Sequence, residues 1–187
     1  MEYIESIKIL DNTPYLVDLH QARASKISKI IIPNLPALNP IVEGLVKCRI
    51  VFDEESILSI EFIPYTLPSI KSLKIVHADD IDYDKKFVDR TNLNILYSKR
   101  GEADDIIISK NGYLTDSYFC NLIFSLNGEL FTPDTPLLEG TKRQHLIESG
   151  RIKTKSISAD DIHLFDGVYL INAMIDLDDN IFVSKID

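Results

Sequence analysis

The sequence predicts an α+β fold in two subdomains, and three observations lead there. Short apolar or alternating runs come in pairs around turn residues, as antiparallel hairpins require; Lys110-Asn111-Gly112 and Asn127-Gly128 are the clearest tips. Between these pairs lie stretches with apolar residues at helical spacing, two of them closed by glycine at Gly101 and Gly150. A polar, acidic stretch, Ala78 to Tyr83 (ADDIDY), interrupts the pattern and marks a junction near residue 80. The expected division is a small N-terminal α/β subdomain over residues 1–80 and a larger mixed β subdomain with helices over 81–187.

Each element follows from local pattern. Residues 3–10 (YIESIKIL) alternate as a strand, and Asp11-Asn12-Thr13-Pro14 is a turn by composition. Leu16, Leu19, His20, Arg23, Ile27 and Ile30 recur at helical spacings, which predicts a helix from Leu16 to about Ile31. Asn34 to Pro40 reads as a loop and residues 41–46 as a short helix or turn. Strands are expected at 46–53 and 57–63, around the acidic turn Asp53-Glu54-Glu55-Ser56, and again at 72–77. A helix is predicted from Asp84 to about Lys99, with Phe87, Leu93, Leu96 and Tyr97 on one side. Two hairpins follow: Ile106–Ser109 with Tyr113–Asp116, and Asn121–Leu126 with Glu129–Phe131. Pro133 to Gly140 is a loop, Thr141 to Ser149 a helix, and 153–157 a strand. Ser158 caps a short helix through Leu164, with Asp160 and Asp161 in its first turn. Residues 167–172 and 180–184 are the last strands. No internal repeat or low-complexity tract is visible.

At 187 residues the chain suffices for one good core or two small ones, and its 45% hydrophobic and 26% charged content is ordinary for a globular protein. A net charge of −9, from 20 basic against 29 acidic residues, argues against a nucleic-acid binder but leaves room for a locally positive pocket. The longest apolar runs fall far short of the roughly 20 residues that span a bilayer. No basic segment leads into an apolar one at the start, so a cytoplasmic location is expected. Cys48 and Cys120 sit in apolar strand-like runs and read as small buried hydrophobes rather than a disulfide. His20, His77, His145 and His163 lack metal-ligand spacing, and no metal site is predicted.

Several residues have the chemistry of a site, each beside a plainer alternative. Lys86, next to Lys85 and near Arg90, is a candidate reactive amine whose pKa burial or a cationic neighbour would lower; the alternative is a solvated lysine pair at a helix start. Asp116 falls on the apolar face of its strand, where a carboxylate wants a partner, or else is an exposed turn acid. Gly140-Thr141-Lys142-Arg143 opens a helix after a loop, and the free amides and positive end of a helix suit a phosphate, although every helix has such an end. Arg23, one turn after Leu19, can reach an anion with its fork or simply face solvent. Asn172-Ala173-Met174 ends a strand and offers further amides. Lys47 and Arg49 share one strand face, and Arg49 is a candidate contact for a substrate carboxylate or a solvent-facing edge residue.

The order of these residues along the chain is more specific than any one of them. His20-Gln-Ala-Arg23, Lys86-Phe-Val-Asp-Arg90, the block NGYLTDSYFCNLIF from Asn111, TPDTPLLEGTKR to Arg143, and Ile171-Asn-Ala-Met174 follow one another. Together they supply a lysine, a distant acid and a phosphate-sized helix N-terminus, the parts a pyridoxal phosphate enzyme needs. The series resembles the class IV aminotransferase family, the fold type IV pyridoxal phosphate enzymes. Branched-chain aminotransferase, D-amino acid aminotransferase and 4-amino-4-deoxychorismate lyase are members.

The resemblance implies a D-amino acid aminotransferase-like fold whose C-terminal subdomain binds pyridoxal 5′-phosphate. It makes Lys86 the Schiff-base lysine and Asp116 the acid facing the ring nitrogen. Arg23 and the amides of Thr141, Lys142, Asn172 and Ala173 become the phosphate site, and Asn121 the amide that pins the hairpin. It implies a homodimer and a small amino-group substrate carrying a carboxylate. Two departures bear on the activity. The family usually has glutamate where this chain has Asp116, and branched-chain aminotransferases have a tyrosine where this chain has Thr91. The chain is also shorter than typical members. The Lys86-to-Arg90 spacing and the lack of a tyrosine at Thr91 look more like 4-amino-4-deoxychorismate lyase, a folate-biosynthesis reaction releasing pyruvate and 4-aminobenzoate. An amino acid aminotransferase is the alternative, and a non-catalytic cofactor-binding relative a third reading.

Overall fold

The computed structural model describes residues 1–38 and 44–186. The chain forms two units, Met1–Leu67 with Lys85–Asp89, and Pro68–Asp84 with Arg90–Asp187. This differs from a single division near residue 80. The chain leaves the first unit at Leu67, and five residues that follow the acidic stretch return to it.

In the first unit β1 (Tyr3–Leu10), β2 (Thr13–Pro14), β3 (Leu45–Phe52) and β4 (Ile57–Pro64) form an antiparallel sheet in the order β2-β1-β3-β4. The β1–β2 turn places Asp11 and Asn12 at φ 46° and 64°, left-handed values that short polar side chains tolerate. Alternation along β1 puts Tyr3, Glu5, Ile7 and Ile9 on one buried face. Ile7, Ile9, Cys48, Ile50 and Phe52 from the sheet pack with Ala24, Ile30, Ile32 and Leu35 as the core.

Helix α1 (Val17–Ala24) is shorter than the periodicity predicts. Tertiary bonds take over after Ala24: Gln21 donates to the Ile30 carbonyl and accepts from the Ile32 amide, at 2.9 and 2.7 Å, and Ser28 Oγ donates to Asp53 O at 2.7 Å. Ile27 and Ile30 still reach the core, but from irregular chain. The expected loop at Asn34 contains a helical turn, α2 (Leu35–Leu38), with Pro36 near its start, where a missing N–H costs little. Residues 39–43, which include Pro40 and part of the segment expected as a short helix or turn, lie outside the described residues, and β3 begins at Leu45.

The second unit holds β5 (Ser72–His77), α3 (Thr91–Ser98), β6 (Asp105–Lys110), β7 (Tyr113–Ser117), β8 (Asn121–Leu126), β9 (Glu129–Pro133), α4 (Thr141–Glu148), β10 (Lys153–Lys155), β11 (Gly167–Ile171), β12 (Phe182–Val183) and β13 (Lys185–Ile186). They form one sheet in the order β10-β9-β8-β7-β6-β5-β13, with β11 and β12 added beside β8. The pairs β6–β7 and β8–β9 are the two predicted hairpins. Their tips, Asn111-Gly112 and Asn127-Gly128, take positive φ at both residues, between 52° and 82°, as two-residue hairpin turns demand. Ile106–Ile108 and Leu122–Phe124 are fully buried continuous runs, the pattern of central strands covered on both faces. Cys120, like Cys48, is a buried free thiol.

The largest departure from the sequence pattern lies at residues 84–99. The helix starts only at Thr91, and Lys85–Asp89 is non-helical chain joined to β1 by a single bridge, Tyr3 with Phe87. Ile4 N donates to Lys86 O at 2.9 Å, and Val88 N donates to Glu2 O at 3.0 Å. Phe87 does not complete the apolar face of a helix; its ring lies 5.6 Å from that of Tyr3, on the first core. Near the end of the chain, Ser158–Leu164 forms only a 3-10 turn over Ile162–Leu164. Among the described residues no helix is long and apolar enough to cross a membrane.

Candidate active site

In the second unit the site is built around Asp116, 6% exposed at the end of β7. Its register partner across the β7–β8 turn is Asn121. Asn121 Nδ2 donates to Asp116 Oδ1 at 2.7 Å and to Leu138 O at 2.9 Å, while Leu138 N donates to Asp116 Oδ2 at 2.9 Å. One amide and one carboxylate thus tie the hairpin to the loop before α4. Burial pushes the Asp116 carboxyl up to about 6, against the lowering effect of these bonds and of Arg143. A carboxylate has about four acceptor sites, and the Asn121 side chain and the amides of Leu137 and Leu138 use part of them. A cationic N–H, such as that of a pyridine ring, would draw the group into its ionised form.

Gly140, N-cap of α4, sits directly against this network. A Cβ there would lie 1.8 Å from Asn121 Oδ1. Its φ of −71° is ordinary, so the requirement for glycine is steric. Gly140 brings no side-chain cap, and the first turn of α4 carries no acid, which leaves the helix N-terminus positive and uncapped by a side chain. Thr141, Lys142 and Arg143 are all buried. Lys142 Nζ pairs with Asp176, and Arg143 donates to Thr132 Oγ1 at 3.2 Å and to Pro133 O at 2.8 Å. Both cations beside the positive helix end are engaged by the protein itself, Lys142 by Asp176 and Arg143 by Thr132 and Pro133.

The second proposed group of amides is arranged differently from expectation. Asn172 N donates to Ile175 O at 3.2 Å, so the Asn172 amide serves its own turn. The Asn172 side chain closes that turn, with Oδ1 accepting from Met174 N and Ile175 N at 2.8 and 3.1 Å, and Nδ2 donating to Cys120 Sγ at 3.3 Å. These bonds do not use the amide of Ala173. Asn172 is a turn-former beside Cys120, and Ala173 carries the amide that remains a candidate donor.

Lys86 and Arg23 belong to the first unit. Lys86 is half-buried on the segment paired with β1, not on a solvated helix start. Arg23 forms a fork with Glu5, Nε to Oε1 at 2.8 Å and Nη2 to Oε2 at 2.5 Å. His20 Nδ1 meets the same Oε2 at 2.5 Å. Glu5 is 1% exposed and His20 fully buried. Although burial alone would raise the Glu5 carboxyl, Arg23 and His20 together bring it down to about 2. His20 is held below its ordinary value by burial, against the pull of Glu5, and feels the positive charges of Arg23 and Lys86. Sequence reasoning missed Glu5. The available signal was the alternation of YIESIKI, which sets this acid between Tyr3 and Ile7 on the apolar face.

Arg49 lies on β3 in the first unit. It stands opposite Glu61 in the β3–β4 register and donates to Glu61 Oε2 at 3.2 Å, an ion pair that accounts for its charge within the sheet. The second unit also has a cleft of about 380 Å³ lined by Tyr83, Lys110, Tyr113, Thr115 and Leu137, with Lys110 Nζ donating to Ile81 O at 2.6 Å.

Residues 53–177 match the family model described as amino-transferase class IV. An uncharacterized protein of Haemophilus influenzae is 37% identical over 169 residues, covering 84% of this chain and 89% of that protein. A crystal structure from Haemophilus somnus, described provisionally as a 4-amino-4-deoxychorismate lyase, superposes with a TM-score of 0.86 at 34% identity, covering 94% of this chain and 97% of that one. A structure from Mesorhizobium loti, described provisionally as an amino-acid aminotransferase, superposes with a TM-score of 0.83 over 100% of this chain and 99% of that one; at 20% identity it shows the shared fold alone.

Two outcomes follow from the Asp116 network. Gly140→Ala drives a methyl into Asn121 and is expected to lower unfolding stability by about 1–3 kcal/mol in a denaturant titration. The second outcome concerns pH. Asp116 titrates at 3.8 when unperturbed and at about 6 when folded, so the folded state holds this proton more tightly. Stability is highest with the proton on and falls as pH rises from about 4 to about 6, by about 3 kcal/mol for this group. Buried Asp105, also pushed up to about 6, adds to the loss in the same window. Melting temperatures of the cofactor-free protein across this range should fall less steeply in Asp116→Asn than in the wild type.

Proposed function

Since the chain belongs to the class IV aminotransferase family, enzymes that work with pyridoxal 5′-phosphate, we propose that it is a 4-amino-4-deoxychorismate lyase, releasing pyruvate and 4-aminobenzoate. The observation that carries this reading is the likeness to the Haemophilus somnus structure, which spans nearly the full length of both chains at 34% identity and bears that provisional description. Thr91, where branched-chain aminotransferases have a tyrosine, supports it.

The residues fit the cofactor. Bound pyridoxal phosphate supplies an electron sink for the pair left when a bond at the substrate breaks. Asp116 is a buried carboxylate with spare acceptor capacity, suited to a protonated ring nitrogen. The amides at the uncapped start of α4, Thr141 and Lys142, with that of Ala173, are donors for the phosphate. Arg23, the remaining candidate for the phosphate, has its Nε and Nη2 engaged by Glu5. Lys86 Nζ is the amine that anchors the cofactor and carries a proton from one position to another during turnover. The substrate is a small amine bearing a carboxylate, and the working form is a homodimer.

The test is to load the purified protein with cofactor and assay two products side by side. The lyase reading expects 4-aminobenzoate from 4-amino-4-deoxychorismate. Glutamate formed from 2-oxoglutarate and a panel of amino acids, with no 4-aminobenzoate, would reassign the chain as an aminotransferase. Lys86→Ala is expected to lose at least about 10²-fold in turnover while keeping its circular dichroism spectrum. Full activity in that variant would remove Lys86 from the chemistry.

A further inference from the structure

The amides taken as phosphate donors lie on two separate pieces of the second unit, and both must face one anion. Thr141 and Lys142 open α4, while Ala173 lies in the turn that follows β11. Asn172 closes that turn from within, its Oδ1 accepting from Met174 N and Ile175 N. Asp176 then caps the 3-10 turn Leu177–Asp179 in a reciprocal box. Its side chain accepts from the Asp179 amide, and Asp179 Oδ2 accepts from Asp176 N at 2.7 Å. Ile171 and Leu177, before and after the Asn172 turn in sequence, share a buried apolar cluster with Leu146 of α4. One polar link is added at the start of the helix, where Lys142 Nζ pairs with the Asp176 carboxylate.

Local stability does not ask for this pair. A cation in the first turn of a helix opposes the helix dipole. Lys142 is also only 5% exposed, so its charge is stripped of water. Apolar residues in place of such a pair are often just as stable. What the pair supplies is placement, because a directed bond between charges fixes a spacing that apolar contact leaves looser.

We propose that Asp176 and Lys142 are positioning residues for the phosphate: their ion pair braces the Ala173 turn against the start of α4, so that the two sets of amides converge on one anion. This role rests on those amides being the phosphate site. Lys142 then contributes to the anion through its main chain, and its side chain serves the brace.

The experiment compares pyridoxine 5′-phosphate with pyridoxine on the cofactor-free full chain, with dissociation constants from ligand-observed NMR titration. Neither compound carries an aldehyde, so no bond to a lysine forms, and the two differ only in the phosphate. Asp176→Asn removes the charge and keeps a side-chain oxygen able to cap the 3-10 turn. Lys142→Met removes the ammonium and keeps the amide. Each variant is expected to bind the phosphate ester about tenfold more weakly, the worth of one charge-assisted hydrogen bond, and pyridoxine as before. The double variant should lose no more than either single one, since both changes remove the same brace. A lysine acting as a bare charge predicts otherwise: Asp176→Asn would bind the ester more tightly and Lys142→Met less tightly. Such opposite changes would overturn the proposal, as would unchanged affinities, equal losses for both compounds, or losses that add. If Asp176→Asn does not fold, Asp176→Ser, another capping residue, takes its place. A wild type with no preference for the ester over pyridoxine would end the phosphate reading and the brace together. A wild-type preference that survives in both variants would end the brace alone.

Discussion

The contact on which the second unit depends is the one between Asp116 and Asn121. A carboxylate at the end of a buried strand is costly unless its oxygens are satisfied. Here both are, one by the Asn121 side chain and the other by the Leu138 amide. Asn121 returns a bond to the Leu138 carbonyl, so the loop before α4 is held at both its donor and its acceptor. That loop ends at Gly140, whose missing side chain is what lets Asn121 lie there. The place where α4 begins, and hence where its amides point, is a consequence of how one acid and one amide are paired.

The two units bury an acid in different ways, and the contrast explains their titration. Glu5 and Asp116 are both almost without exposure. Burial pushes each of them up. Glu5 has a guanidinium fork and an imidazole on its oxygens, and these outweigh burial and bring it to about 2. The bonds to Asp116 come from neutral amides, with Arg143 acting only through space, and burial wins at about 6. The first carboxylate is a fixed charge. The second is poised to respond to whatever cation arrives opposite it.

Much of this was legible from local pattern. The Asn-Gly hairpin tips, the strand at 72–77 and the start of α4 at Thr141 follow from turn chemistry, alternation and the glycine before the helix. Asp116 stood out because its strand alternation demanded an apolar residue. The failures share a physical cause, which is tertiary bonding overriding a helical period. Gln21 diverts the chain after Ala24 by bonding to Ile30 and Ile32. Phe87 fits a helical period with Leu93 and Leu96, yet its ring packs at a tilt against Tyr3, so Lys86 lies on non-helical chain bridged to β1.

Fold and electron sink are common to lyases and aminotransferases, so neither can select between the two reactions. Selection must come from what grips the substrate away from the reacting bond. In the first unit Arg49, the cation proposed for that task, is matched by Glu61. A proton carrier is required in both reactions, so the lysine proposed for that role, Lys86, cannot select between them either.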